Sequence, residues 1–158
     1  MSVPDPNLHE ALAVQVRELS DRRAIEDAVI AYGHALDSRD YARLADCFTA
    51  DARVKYGDAE WLNGVEATAR YCARALDPLD ASQHRIGTIA VKLDGDRAAS
   101  TAYVCAEHVR DGARYTVGGS YVDAWERTSA GWRIAERVLV IRWTDGDPRA
   151  LRPVKAPR

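Results

Sequence analysis

Residues 84–143 read HRIGTIAVKLDGDRAASTAYVCAEHVRDGARYTVGGSYVDAWERTSAGWRIAERVLVIRW, and this stretch decides the fold. It contains four segments rich in Val, Ile, Thr, Tyr and Trp, the residue types that favour β-strands. The segments are separated by hairpin signals at Asp94-Gly95-Asp96, Asp111-Gly112 and Ser129-Ala130-Gly131. We therefore predict an antiparallel meander of four strands, at 84–93, 97–109, 114–127 and 132–143.

The first half of the chain has helical periodicity instead. Ile25, Val29, Tyr32 and Leu36 recur at helical spacing after Ser20, the predicted N-cap. The other elements expected here are a short helix at 8–19, a helix at 41–49 capped by Asp40, strands at 52–57 and 60–62, and a helix at 64–76. Helices followed by consecutive long strands indicate an α+β fold. We predict a cone-shaped barrel, with N-terminal helices packed on a strongly curved, mainly antiparallel β-sheet.

Two adjacent glycines, Gly118 and Gly119, lie within the third long strand segment and predict a bend or bulge. A bend there would curl the sheet around the helices and leave a pocket. The chain has no internal repeat or linker, so we expect one domain at 20–143. An N-terminal extension at 1–19 and a C-terminal tail at 144–158 flank it, and the tail is expected to be mobile or packed on a neighbouring subunit.

Composition limits the classes of function. The formal charge of -2 over 158 residues gives no reason to expect nucleic acid or a membrane surface as a partner. Cys47, Cys72 and Cys105 are widely spaced and form no CxxC pair, which argues against disulfides or a zinc site. The sequence has no phosphate-binding loop and no histidine pair at i, i+4. We expect a cytoplasmic protein without cofactor or metal, which binds a small hydrophobic molecule and copies of itself.

Asp37 is the first candidate site residue, because it ends the best-defined helix at the edge of its apolar face. A carboxylate there is either solvated or partly buried with a partner. His84, which follows a polar turn and begins a strand, is the candidate partner, since a carboxylate fixes the tautomer of a histidine base. Tyr32, Tyr56 and His108 are the available hydrogen-bond donors. His108 shares a strand face with Val104 and Ala106, which we expect to be the interior face, so the alternative for His108 is an ordinary core histidine.

Aromatic side chains are candidates for an apolar pocket wall. Trp61, Tyr103, Tyr121 and Trp125 are placed there as substrate-binding residues, although each alone is typical of core. His34 lies about 200° around the helix from Tyr32 by the 3.6-residue repeat, so we predict that it faces away from the core.

The run RRAIEDAVIAYGHALDSRDYARLADCFTADARV at 22–54, followed by His84-Arg85-Ile86-Gly87 and a terminal GWRI strand, resembles the SnoaL-like branch of the nuclear transport factor 2 superfamily. The resemblance covers about residues 20–143. Its closest pattern is that of scytalone dehydratase, the bile-acid dehydratase and hexachlorocyclohexane dehydrochlorinase. In that group an aspartate at the end of the first long helix pairs with a histidine that begins a strand, and Asp37 and His84 match these positions.

The same resemblance implies roles for four further residues. His108 falls at the position of a second active-site histidine, and Tyr56 at that of a tyrosine which holds the reactive water. Tyr32 has the spacing to Asp37 found in the bile-acid dehydratase. Arg137 lies near an arginine of the dehydrochlorinase and is placed among the substrate-binding residues.

Two positions depart from the scytalone dehydratase pattern. Leu36 replaces the tyrosine that directly precedes the aspartate, and Gly119 stands at about the place of the active-site serine. Scytalone itself is therefore not the expected substrate.

The leading hypothesis is a cofactor-free lyase of the dehydratase type, in which an Asp-His dyad abstracts a proton and a β-leaving group departs from a carbonyl substrate. An isomerase or polyketide cyclase would use the same base. A non-catalytic binding or oligomerisation module would instead use Asp37 and His84 to hold the helix against the sheet. A third possibility is the small subunit of a ring-hydroxylating oxygenase, which resembles this fold. Those subunits typically lack the dyad, so the presence of Asp37 and His84 counts against this possibility. The resemblance favours a trimer over a dimer for the expected homo-oligomer.

Overall fold

Helix α1 runs without interruption from Pro6 to Ser38 in the computed structural model, which describes residues 6–151. The predicted helix start at Ser20 is therefore wrong, because 8–19 and 20–36 form one helix. No Gly or Pro lies between Asn7 and Tyr32, and the abundant Ala, Leu, Glu and Arg residues favour continuous helix. The first half of α1 is exposed along its length, and only the second half contributes buried side chains to the core.

The second helix, α2, is short and spans Tyr41–Ala45. The prediction of Asp40 as its N-cap is confirmed, because the Asp40 carboxylate accepts a hydrogen bond from the backbone N–H of Arg43 at 3.0 Å. The predicted continuation to 49 is wrong. Phe48 already belongs to the next strand, since the Cys47 carbonyl accepts a hydrogen bond from the N–H of Ile134.

The remaining elements confirm the predicted order of helices and strands. Every strand is longer than expected except the second, which is shorter and begins two residues later than predicted. They are β1 (Phe48–Tyr56), β2 (Leu62–Asn63), α3 (Val65–Leu76), β3 (Ala81–Asp94), β4 (Arg97–Arg110), β5 (Ala113–Thr128) and β6 (Gly131–Gly146). The sheet order is β2-β1-β6-β5-β4-β3, so the predicted meander β3 to β6 is confirmed. Strand β1 lies parallel to β6. The fold is thus α+β with helices packed on a mixed and open six-stranded sheet, and the sheet does not close into a barrel.

The bend predicted at Gly118 and Gly119 is present as a shift in the register between β5 and β6. Both positions lack room for a side chain. A Cβ on Gly118 would lie 2.0 Å from the ring of Trp143, and one on Gly119 would lie 2.4 Å from the carbonyl oxygen of Val140. Close approach between neighbouring strands therefore explains both glycines.

The C-terminal part of the described chain packs on the chain's own sheet. Strand β6 extends to Gly146, and a 3-10 turn at Pro148–Ala150 follows it, with Ala150 buried. The expected tail at 144–158 thus belongs to the fold as far as Leu151. Residues 152–158 of that tail and 1–5 of the expected extension lie outside the described residues. Among the described residues, no helix has the length and apolar character needed to cross a membrane.

Candidate active site

Asp37 is held at the end of α1 by a tight helix stop. The N–H of Asp40 donates to the carbonyl of Ala35 at 3.0 Å, and the N–H of Arg39 donates to that of Leu36 at 3.2 Å. This is the Schellman pattern, which requires a left-handed residue after the helix. Arg39 takes that conformation with a φ of 59°, although it is not glycine. The stop directs the last turn of α1 toward the edge strand β3.

Asp37 and His84 are in direct contact. Oδ1 of Asp37 lies 2.7 Å from Nδ1 of His84, and Oδ2 accepts the backbone N–H of His84 at 2.8 Å. That N–H lies on the free edge of the sheet, so the carboxylate satisfies a group that no strand pairs with. Ser82 donates a third hydrogen bond to Oδ1 at 3.1 Å.

The electrostatics of this contact fix the state of the Asp37 carboxyl group. Burial alone raises the pKa of Asp37, but the hydrogen bonds from the His84 ring, the His84 backbone and Ser82 outweigh burial and hold the pKa below its ordinary value. Asp37 is therefore a carboxylate at neutral pH, and because a carboxylate only accepts hydrogen bonds, Nδ1 of His84 is the donor to it. Nε2 of His84 is left as the ring nitrogen available to a ligand.

His84 lines an inner cavity of about 180 Å³ between the helices and the concave face of the sheet. The cavity wall is mainly apolar, and its polar side chains are those of Tyr32, Tyr56, Tyr71, Cys72, His84, His108 and Tyr121. An apolar cavity of about 150 Å³ is known to accept benzene, so this one has room for a single six-membered ring. A larger open depression on the outside of β3 also touches Asp37 and His84, but it includes neither Tyr32 nor His108. The inner cavity is the candidate site.

His108 lies beside His84, with the two rings edge to face and their centroids 5.7 Å apart. Its side chain points inward, as predicted, and Nδ1 lies 3.1 Å from the carbonyl oxygen of Tyr115. Burial, together with the neighbouring His84, lowers the pKa of His108 to about 4. A neutral ring that donates from Nδ1 has an unprotonated Nε2. The structure therefore makes His108 an acceptor, which corrects its expected role as a donor.

Two buried tyrosines supply the donors on the opposite side of the cavity. The hydroxyls of Tyr32 and Tyr56 are 2.8 Å apart, and the Tyr56 hydroxyl also lies 3.4 Å from the sulfur of Cys72. Burial raises the pKa of both phenols well above its ordinary value. Both hydroxyls are consequently neutral at physiological pH. Because their mutual hydrogen bond uses one of the two protons, the other proton can be donated to a ligand oxygen.

The predicted aromatic wall is only partly present. Tyr121 lines the cavity with its ring edge-on to Tyr32. Trp61 lies outside, under the guanidinium of Arg53, and Tyr103 is 64% exposed on the outer face of the sheet. Trp125 is core, where its indole N–H donates to Ser100 at 2.8 Å. Strand alternation alone did not distinguish the cavity from the solid core beside it.

His34 is exposed, as its position on the helix predicted. Arg137, expected to bind substrate, is fully buried behind Tyr32 and Tyr121 and does not line the cavity. It forms a two-pronged ion pair with Asp123. Asp123 was not among the residues predicted from the sequence. Its position two residues after Tyr121 places its carboxylate on the inward face of β5, and this alternation is the signal that could have identified it.

Other polar residues that support the site were also missed. Ser82 and Arg39 join Asp37 through hydrogen bonds, and Cys72 and Tyr71 lie beside Tyr56. No His, Cys, Asp and Glu side chains of the described region group in a way that would hold a metal ion.

A family model described as a SnoaL-like domain matches residues 17–138, which is most of the chain. The chain belongs to the SnoaL-like family. Two uncharacterised relatives, Rv2910c of Mycobacterium tuberculosis and Mb2934c of Mycobacterium bovis, are each 32% identical to it over 129 residues. Each of these alignments covers 79% of this chain and 88% of the relative.

Solved structures with the same fold include enzymes and enzyme candidates. A candidate aromatic ring hydroxylase from Novosphingobium aromaticivorans has a TM-score of 0.78 at 28% identity, over 85% of this SnoaL-like chain and 98% of its own. A candidate scytalone dehydratase from the same organism has a TM-score of 0.77 at 22% identity, over 89% and 97% of the two chains. LinA has a TM-score of 0.78 at 19% identity, over 91% and 99%. The last two likenesses establish the nuclear transport factor 2-like fold alone.

Proposed function

We propose that this SnoaL-like protein is a cofactor-free lyase that removes water, or a comparable β-leaving group, from a small carbonyl compound. The observation that carries the proposal is the 2.7 Å contact between Nδ1 of His84 and Oδ1 of Asp37 beside a mainly apolar cavity. A carboxylate in that position sets the tautomer of the imidazole and stabilises the imidazolium that forms when the ring takes a proton. His84 is the proposed base, and Asp37 orients it.

In the proposed reaction, Nε2 of His84 takes the proton on the carbon next to the substrate carbonyl. The electron pair of that C–H bond forms the carbon–carbon double bond as the bond to the β-oxygen breaks. The proton on Nε2 then passes to the departing hydroxide, which leaves as water. This return restores neutral His84, so the cycle needs no other acid and no co-reactant.

The carbonyl oxygen gains negative charge as the proton leaves. The proposed donor to it is the Tyr32 hydroxyl, which in this arrangement accepts the hydrogen bond from Tyr56. Donors aimed at developing charge in a dry site often contribute the largest share of catalysis. Nε2 of His108 is the proposed acceptor for the hydroxyl of the leaving group. The cavity thus offers acceptors on the histidine side and donors on the tyrosine side.

The structural neighbours give this proposal independent support. One is described as a candidate scytalone dehydratase, and LinA proteins are described as hexachlorocyclohexane dehydrochlorinases. One name denotes the elimination of water and the other the elimination of hydrogen chloride. A cavity of about 180 Å³ favours a substrate of roughly one ring.

The test is a panel of small β-hydroxy ketones and β-hydroxy thioesters, with the conjugated product followed by ultraviolet absorbance. We expect turnover by the wild-type protein and a loss of about 10²- to 10⁴-fold in His84→Ala, the usual contribution of a general base. His34→Ala is the matched control, because it removes an exposed histidine from the same end of α1 and should leave turnover unchanged. Full activity in His84→Ala would overturn the proposal. Product analysis by NMR separates elimination from isomerisation or cyclisation.

A further inference from the structure

A buried ion pair lies behind the tyrosine side of the cavity. Nε and Nη2 of Arg137 donate to the two carboxylate oxygens of Asp123, each at 2.7 Å, and both side chains are fully buried. Ser100, which accepts the indole N–H of Trp125, lies 3.4 Å from the same carboxylate. Asp123 is thus held from both sides, and it holds the guanidinium in one orientation.

The guanidinium of Arg137 is stacked between two cavity tyrosines. Its central carbon lies 4.1 Å from the ring centre of Tyr32 and 4.2 Å from that of Tyr121. The remaining nitrogen, Nη1, is buried and has no hydrogen-bond partner within the described part of the chain. A buried donor without a partner is costly, and contact with the faces of electron-rich rings is the compensation that this site offers.

We propose that Arg137, fixed by Asp123, is a positioning residue that sets the orientation and the donor strength of the Tyr32 hydroxyl. This inference rests on the proposed function, since it concerns the hydroxyl proposed to donate a hydrogen bond to the negatively charged carbonyl oxygen. Arg137 does not line the cavity, so it acts on a ligand through the tyrosine ring and not by contact.

Two physical effects support this assignment. First, a ring held between a guanidinium and its neighbours cannot rotate freely, so its hydroxyl stays where Tyr56 and the cavity require it. Second, positive charge behind a phenol favours transfer of its proton toward an acceptor. Burial strongly raises the pKa of Tyr32, and Arg137 opposes that effect. A stronger donor gives a stronger hydrogen bond to a negatively charged oxygen.

The experiment uses 4-nitrophenol as an oxyanion probe, because its ionised form absorbs visible light and its binding needs no turnover. Wild-type protein, Tyr32→Phe, Arg137→Met, Arg137→Lys and Asp123→Asn are titrated at a pH equal to the solution pKa of the probe. We expect the wild-type protein to bind the phenolate form. Tyr32→Phe and Arg137→Met should each weaken phenolate binding by about tenfold or more and shift the bound probe toward its neutral form. Arg137→Lys keeps the positive charge and should weaken binding less. Asp123→Asn releases the guanidinium and removes a negative charge, so it should change the bound phenolate fraction.

Glu136→Gln is the matched control. Glu136 lies next to Arg137 on β6 and forms an exposed ion pair with Arg53 of β1. The substitution breaks this pair and should leave the spectrum of the bound probe unchanged. If Arg137→Met does not fold, as judged by circular dichroism, Asp123→Asn decides the matter. An unchanged phenolate fraction in folded Arg137→Met or in folded Asp123→Asn overturns the inference, and so does a wild-type protein that does not bind the probe. A protein that binds phenolate in this way but dehydrates no substrate would refute the proposed function and leave the positioning role standing.

Discussion

Asp37 holds His84 by two contacts, one to the ring and one to the backbone. The ring contact is 2.7 Å long and the backbone contact 2.8 Å, and the two use different carboxylate oxygens. Because one carboxylate binds both the backbone N–H of His84 and the Nδ1 of its ring, the orientation of the ring relative to the sheet is fixed. The arrangement also joins the end of α1 to the edge of β3, so it serves the fold and the site together.

Asp37→Asn should lower kcat by about 10²- to 10⁴-fold while the protein remains folded. The amide is neutral and cannot stabilise the His84 imidazolium, although its oxygen can still accept one of the two N–H groups. Steady-state kinetics and thermal melting measure the two effects. Ser82→Ala, which removes only one hydrogen bond to Asp37, should cost far less activity. Equal losses in the two variants would contradict a charge-based role for Asp37.

Arg39→Gly should lower kcat by about tenfold and leave the free energy of unfolding within about 1 kcal/mol of the wild-type value. Glycine relieves the left-handed backbone at this position, whereas the loss of the guanidinium frees Ser82, which Arg39 contacts at 2.7 Å and which in turn binds Asp37. Asp111→Gly is the matched control, since Asp111 also has a positive φ, of 50°, in the turn between β4 and β5, and its side chain does not contact Ser82 or Asp37. Unchanged kinetics in Arg39→Gly would rule out this supporting role.

The stability of the protein should fall as pH drops from about 6.5 to about 4. Burial lowers the pKa of His108 from 6.5 to about 4. Between these pH values the histidine is therefore protonated in the unfolded chain but not in the folded chain. The difference corresponds to about 3 kcal/mol once both forms are protonated. Denaturant unfolding of the wild type and of His108→Asn, whose amide can still donate to Tyr115, measures the effect. Parallel curves for the two proteins between these pH values would show that His108 is not the group responsible.

Self-association stays a prediction, and the outer face of the sheet is where we expect it. Tyr103, Val122 and Trp143 lie on that face and are 64%, 44% and 52% exposed. Val122→Glu places a charge within this apolar patch without disturbing the core, so it should dissociate an oligomer built on the patch. Sedimentation equilibrium measures the mass. A monomeric wild-type protein, or a trimer unaffected by Val122→Glu, would contradict the expectation.

Local chemistry was enough to predict most of the fold. The cap at Asp40, the hairpin signals and the paired glycines at 118 and 119 each act over a few residues, and the structure confirms all three. The continuity of α1 through Ser20 was mispredicted because a cap residue is also tolerated inside a helix when nothing else interrupts it. The parallel pairing of β1 with β6 depends on contacts far apart in sequence, and no local signal records it.

The sequence by itself determined that Asp37 lies at the end of a helix, that His84 lies near the start of a strand and that His108 points inward, because period and turn chemistry decide which way a side chain faces. The strand itself begins three residues before His84, at Ala81. Only the tertiary structure decided what each side chain meets. It brought Asp37 to His84 across 47 positions, gave His108 a backbone acceptor, and placed Arg137 behind the tyrosines instead of in the cavity. The role of a polar residue depends on the partners that folding supplies, and those partners set its charge and its free hydrogen-bonding atoms.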